Sequence, residues 1–227
     1  MAGEGGSYHI AKTVPFDKVR KYYKQFKGMT FNDFMMGVLS KSYHQWFEHY
    51  EIKDAKDMFM IIPVNLRNLP SGYHNLQVDC GIVGSKFMIP LKDSVEEGMK
   101  AIKPTLQRFV TDDIIIASRN LCWLVPYLPE FLGRILFTKC TEKSDVSFSN
   151  VPFHKKSWRL NKKEIKNITF FNNIQVGLSV NTLAITYKGQ VQVMVIGKKG
   201  MKMDPQIYTD LIYKNMMEEI EKLPKEN

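Results

Sequence analysis

Cysteine is scarce in this chain. Cys80, Cys122 and Cys140 stand far apart in 227 residues, and none belongs to a C-x-x-C pair. A zinc ribbon, a thioredoxin-type redox pair and a disulfide framework are thereby excluded, and a reducing compartment is expected. Long apolar runs are missing too: no stretch reaches the ~20 uncharged apolar residues of a membrane span. The nearest approach, Asn120 to Gly133, is broken by Pro126, Pro129 and Glu130 and flanked by Arg119 and Arg134. Such a segment suits lying on a membrane or lipid-droplet surface rather than crossing it. The start, Met1 to Gly6, lacks the basic residues and apolar core of a secretory signal, so a cytoplasmic protein is expected. Glycine (14) and proline (10) are at ordinary levels, which excludes collagenous or low-complexity sequence. No internal repeat and no linker interrupts the chain, so residues 1–227 read as one domain.

What is present describes an ordered, basic globular protein. Hydrophobic residues make up 44% and aromatics 12%, enough for a sizeable core. Lys and Arg number 32 against 23 Asp and Glu, a net charge of +9 that favours anionic lipid, nucleic acid or a nucleotide-bearing coenzyme without choosing among them. The pattern predicts a strand over Tyr8 to Val14, then a helix from Pro15 through Phe26 ended by Gly28. A second helix is predicted from Thr30 to His49, with Phe34, Val38, Leu39, Tyr43, Trp46 and Phe47 as its apolar face. Met58 to Val64 is a continuous apolar run, as in a strand buried on both faces. Leu76 to Pro90 reads as another strand, bent near Gly81 or Gly84. Ser94 with Glu97 opens a helix that Pro104 is expected to kink or split, and apolar helical sequence continues from Asp113 to Phe137. The last third is strand-rich: Asp145 to Val151, Ile168 to Asn172, Ser179 to Tyr187 and Gln190 to Ile196. Tyr187-Lys188-Gly189-Gln190 forms a tight hairpin turn. Asp204-Pro205 then caps a helix to Leu223. This order predicts an α/β (α+β) fold, a mixed β-sheet with helices packed on it.

Three motifs occur in the order and spacing of one family. They are Thr30-Phe31-Asn32-Asp33-Phe34 at a helix start, Ile62-Pro63-Val64-Asn65-Leu66-Arg67, and Ser149-Asn150-Val151-Pro152. Together they resemble the C-terminal half of the wax ester synthase/diacylglycerol acyltransferase family. Asn75 with a strand ending Ile89-Pro90-Leu91, and Ile185-Thr186-Tyr187-Lys188-Gly189, extend the resemblance along essentially the whole chain. The resemblance implies one half of a chloramphenicol-acetyltransferase-like fold, in the coenzyme-A-dependent acyltransferase superfamily. It implies acyl-CoA as co-substrate, with no cofactor or metal resident in the chain. Diacylglycerol or a long-chain alcohol would be the acceptor, giving triacylglycerol or wax ester. The family's base is the second histidine of a His-His-x-x-x-Asp-Gly motif in the N-terminal half. None of His9, His44, His49, His74 and His154 stands in such a motif. Three expectations follow: a piece of a longer chain, a subunit paired with a separate N-terminal half or with itself, or a non-catalytic lipid-binding or interaction relative.

The candidate site residues come from these motifs. The resemblance sets Asn32 and Asp33 near the reaction centre, although Asp33 also suits a helix cap with Thr30. Ser149 and Asn150 end a strand, where a hydroxyl or amide can donate to a developing oxyanion or else satisfy turning backbone. Phe153 replaces the glycine that the family carries after Val-Pro. Arg67 is either a structural cation or a coenzyme-phosphate contact. Lys155, Lys156, Arg159, Lys162 and Lys163 form a basic run around Trp158, either a solvated face or a surface for anionic membrane or phosphate. One interleaved aromatic is too few for RNA recognition, so nucleic acid is not an expected partner.

Overall fold

The computed structural model describes residues 6–65, 82–111, 117, 120–121, 123–141, 144–153, 155–172 and 178–224. Its centre is the hairpin foreseen around Lys188-Gly189. Lys188 (φ 50°) and Gly189 (φ 72°) both take the left-handed conformation of a two-residue turn whose twist matches the flanking strands. That turn joins β8 (Val180–Tyr187) to β9 (Gln190–Lys198). The first predicted strand is two pieces along β9: β1 (Gly6–Ile10) and the short β2 (Val14–Pro15), separated by residues 11–13. On the other side β8 pairs in parallel with β5 (Val146–Pro152), and β5 in parallel with β3 (Asp57–Asn65). An antiparallel edge strand, β4 (Ile82–Pro90), completes a seven-stranded mixed sheet ordered β1-β9-β8-β5-β3-β4, with β2 also on β9.

Four helices cover one face. They are α1 (Phe16–Lys24), α2 (Phe31–His49), α3 (Val95–Thr111) and the C-terminal helix Pro205–Glu221. Alternation along the strands aims Met58, Met60, Phe148, Val180, Ala184, Val191, Val193 and Val195 at this layer. There they meet Phe34, Leu39, Tyr43, Trp46, Tyr208 and Ile212. Gly37 and Gly98 bring α2 and α3 together: a Cβ on Gly98 would lie 3.0 Å from the Gly37 Cα. On the opposite face Leu183, Ile185, Met194 and Ile196 form a smaller cluster, covered by Ile168 and Phe170.

Several local expectations change. β3 is not buried on both faces: Met58 and Met60 are buried, but Phe59 is exposed on the thinly covered side. β4 runs beside β3 in unbroken register from Ile82 to Pro90, straight through Gly84 opposite Pro63; residues 76–81 lie outside the described ones. α3 passes through Pro104 as one helix. Pro104 and Lys100 are both exposed, so the carbonyl that loses its helical donor lies on the solvent side. The apolar stretch after it contains a 3₁₀ turn (Val125–Tyr127) and α4 (Glu130–Thr141), with Pro126 and Pro129 breaking the helix between them. The C-terminal helix is therefore α5. Residues 168–172 join no ladder; they lie across the sheet, where Asn172 accepts from Asn181 at 2.5 Å. The basic run contains a small hairpin that periodicity did not reveal, β6 (Arg159–Leu160) with β7 (Lys163–Glu164).

Candidate functional site

The parallel core of the sheet opens at one end. β3 and β5 share a ladder only at Met60–Val146 and Ile61–Ser147. Beyond it β3 follows β4 to Asn65, while β5 follows β8 to Pro152. A split therefore widens between their carboxyl ends, the end of an α/β sheet where ligand groups usually gather.

Asn150 stands on β5 beyond the last β3 pairing, on the same face as Val146 and Phe148 and hence toward the helices. The first turn of α2 meets it there. Asn150 Nδ2 donates to Asn32 Oδ1 at 2.8 Å, joining two asparagines 118 positions apart in sequence. This leaves the exposed Asn32 with its amide N–H groups as donors at the mouth of the split. Asn150 Oδ1 is buried and accepts no hydrogen bond among the described residues, an unused acceptor beside the pair.

Asp33 faces inward, 2% exposed. Its Oδ2 accepts from the Thr30 backbone N–H and from Thr30 Oγ1, both at 2.7 Å, while Thr30 Oγ1 accepts from the Asp33 N–H at 3.3 Å. Lys103 of α3 closes the arrangement, donating to Asp33 Oδ2 at 2.9 Å and to the Gly28 carbonyl at 2.7 Å. Gly28 (φ 74°) provides the left-handed bend that brings that carbonyl round. Asp33 thus caps α2 and anchors it to α3, and so fixes where Asn32 stands. Its neighbour in the motif is the one that reaches the split.

Ser149 belongs to the other face of β5, with Ser147, whose Oγ donates to Asn181 Oδ1 at 2.7 Å. Ser149 and Asn150 are adjacent in sequence but point to opposite sides, so the structure brings Asn150 to Asn32 and separates Ser149 from both. Phe153 packs its ring 4.7 Å from Trp158. Lys155, Lys156, Arg159, Lys162 and Lys163 are all exposed on or beside the β6–β7 hairpin. Arg67, His74 and His154 lie outside the described residues. Lys103 is the residue that sequence reasoning did not single out. Its only signal was a lysine on the α3 face that packs against α2.

The remaining histidines are far from this pair. His44 and His49 lie twelve and seventeen residues along α2 from Asn32, ~18 and ~25 Å at ~1.5 Å per residue. His44 Nδ1 pairs with Asp93 at 2.8 Å. His9 is in register with Val195, Thr182 and Phe148, three strand spacings from β5, or ~14 Å at ~4.8 Å each. It is held by Gln206 Oε1 at 2.9 Å. Among the described residues, no histidine is within hydrogen-bond reach of Asn32 or Asn150 and no cluster could hold a metal ion.

The family model of the WS/DGAT C-terminal domain matches residues 80–221. No curated protein sequence matches the chain. Among solved structures it is similar to the wax ester synthase/diacylglycerol acyltransferase from Marinobacter aquaeolei VT8, with 16% identity and a TM-score of 0.62 over 96% of this chain and 50% of that one. It is similar to the epimerization domain from the third module of tyrocidine synthetase B, with 9% identity and a TM-score of 0.62 over 97% of this chain and 50% of that one. It also resembles the trichothecene 15-O-acetyltransferase of Fusarium sporotrichioides, with 12% identity and a TM-score of 0.61 over 96% of this chain and 47% of that one. At these identities the likeness is one of fold, the chloramphenicol-acetyltransferase-like fold of acyltransferases and condensation domains. The chain spans about half the length of these solved relatives.

Proposed function

The chain belongs to the WS/DGAT C-terminal domain family, and from that membership we propose that it is the C-terminal half of a long-chain O-acyltransferase. In this reading acyl-CoA gives its acyl group to diacylglycerol or a long-chain alcohol. The observation that carries the reading is the Asn32–Asn150 pair at the open end of the sheet. In acyl transfer the acceptor oxygen attacks the thioester carbonyl while a base takes its proton. The C–S bond then breaks, the ester C–O bond remains, and the coenzyme thiolate regains a proton. Negative charge collects on the carbonyl oxygen in between, and a fixed amide N–H aimed at that oxygen lowers the barrier. In this reading Asn32 is that donor, and Asn150, hydrogen-bonded to its Oδ1, holds it in orientation. The base is assigned to a half carrying the His-His-x-x-x-Asp-Gly motif.

The test is long-chain acyl transfer by the purified chain, alone and co-expressed with such a half. Alone, it should stay near background, because general-base help is worth ~10²–10⁴ in rate. Together, the halves should turn over, and Asn32→Ala should cut kcat about 10²-fold, the usual effect of losing one oxyanion donor. Robust transfer by the chain alone, or an unaffected Asn32→Ala variant, overturns the reading.

The exposed Trp123, Leu124, Tyr127 and Phe131 support a second reading: an acyltransferase fold kept as a lipid-binding or interaction subunit. A complemented complex that binds acyl-CoA without turning it over would support it.

A further inference from the structure

Residues 155–166 carry Lys155, Lys156, Arg159, Lys162, Lys163 and Lys166 against a single carboxylate, Glu164. That carboxylate is paired with Lys188 of the β8–β9 turn, and the run as a whole is strongly positive, six cations against one carboxylate. The segment is a built element. Arg159 pairs with Glu164 and Leu160 with Lys163 across β6 and β7. Asn161 (φ 50°) and Lys162 (φ 67°) form the two-residue left-handed turn that such a hairpin requires. Its root is tied to the main sheet: the Trp158 backbone N–H donates to Tyr187 Oη, and Tyr187 Oη donates to the Ile165 carbonyl, both at 2.8 Å. Leu160, next to the turn, is 73% exposed.

A solvated basic loop needs neither a fixed root nor an outward leucine at its tip. The combination of an apolar tip, flexible cationic stems and a half-exposed tryptophan at the base suits the boundary between lipid headgroups and acyl chains. We propose that the β6–β7 hairpin docks the protein on a membrane surface carrying anionic lipids. Leu160 enters the acyl boundary, while Arg159, Lys162 and Lys163 pair with headgroup charges. A nucleic acid fits less well, because the rings of Trp158 and Phe153 pack on each other at the root, and the exposed tip presents the aliphatic Leu160 rather than a ring on which bases could stack. The proposal does not depend on acyl transfer.

The experiment is co-sedimentation of the full chain with phosphatidylcholine vesicles and with equimolar phosphatidylcholine–phosphatidylserine vesicles, at low and high salt. Binding should be confined to the anionic vesicles and weaken as salt screens the cations. Each cation near the surface is worth about fivefold in partitioning, so Arg159→Gln/Lys162→Gln/Lys163→Gln should bind about a hundredfold more weakly. Leu160→Ser should lose about tenfold. All four positions are exposed, so an unchanged thermal melt will show that the fold is kept. Equal binding to both vesicle types overturns the proposal. So does binding that survives the triple substitution but fails on Phe131→Ser, which would assign attachment to α4. A triple variant that loses binding only to an oligonucleotide, with vesicles ignored throughout, would likewise overturn it.

Discussion

Asn32 and Asp33 are neighbours with opposite tasks, and their substitutions should separate cleanly. Asp33→Ala removes a reciprocal cap and leaves Lys103 without its buried partner. A cap is worth ~1 kcal/mol, and breaking a partly buried pair adds more, so a loss of about 2–3 kcal/mol is expected. Urea unfolding should record it as a lower midpoint at unchanged slope. Asn150→Ala removes one hydrogen bond at a partly open site and should cost about 1 kcal/mol or less. In a complemented enzyme the order should reverse, with Asn150→Ala lowering kcat far more than its stability effect implies. An Asn150→Ala variant that unfolds as readily as Asp33→Ala would show that the asparagine pair is chiefly structural.

Among the elements, the contact of α2 with α3 and α5 decides how the helical layer sits on the sheet. A Cβ on Gly37 would run into the Val95 carbonyl oxygen and come within 2.7 Å of Met99 Cγ. Backbone cannot yield as a side chain can, so Gly37→Ala should destabilise by about 1–3 kcal/mol despite the better helix propensity of alanine. Thermal melting checks this. A stabilised variant would mean that the two helices are not in such close contact. On the other side of α2, Lys41 donates to Glu218 of α5 at 2.8 Å and holds that carboxyl below its ordinary 4.5. The folded value is the lower one, so this stabilisation is complete above pH 4.5 and is lost as pH falls through the depressed value. Glu218 is half exposed, so the pair is worth at most about 0.5 kcal/mol. The stability gap between wild type and Glu218→Gln should therefore be small at neutral pH and vanish on acidification, as followed by denaturation at several pH values.

For the whole molecule, the exposed apolar side chains matter most. Trp123, Leu124, Tyr127, Phe131 and Ile135, on the 3₁₀ turn, α4 and the residues before them, are all exposed, as are Phe59 and Met88 on the thinly covered face of the sheet. No described helix is long and apolar enough to cross a membrane. Exposed apolar surface on this scale marks contact with other molecules. The isolated chain is therefore expected to bind a hydrophobic dye or to self-associate in light scattering, and Phe131→Ser with Ile135→Ser should reduce both. A monodisperse, dye-silent monomer would count against this.

Sequence alone determined the elements whose causes are local. The left-handed turn at Lys188-Gly189, the caps at Thr30 and Asp204, and the apolar face of α2 all stand where periodicity and turn chemistry put them, because each depends on residues a few positions apart. The family motifs likewise marked Asn32 and Asn150 as residues of interest. Tertiary structure decided the rest. Whether Ser149 or Asn150 meets Asn32 depends on which way the pleat of β5 turns, and one residue of register reverses the answer. Pro104 could stay within α3 because the face it occupies is on the solvent side, a fact that belongs to packing. Residues 168–172 have the composition of a strand, but β8 is already flanked by β5 and β9, so they became a cover for its outer face. The split between β3 and β5 has no sequence signal at all: each strand is well paired on its other side, and only the register of the assembled sheet limits their shared ladder to two positions.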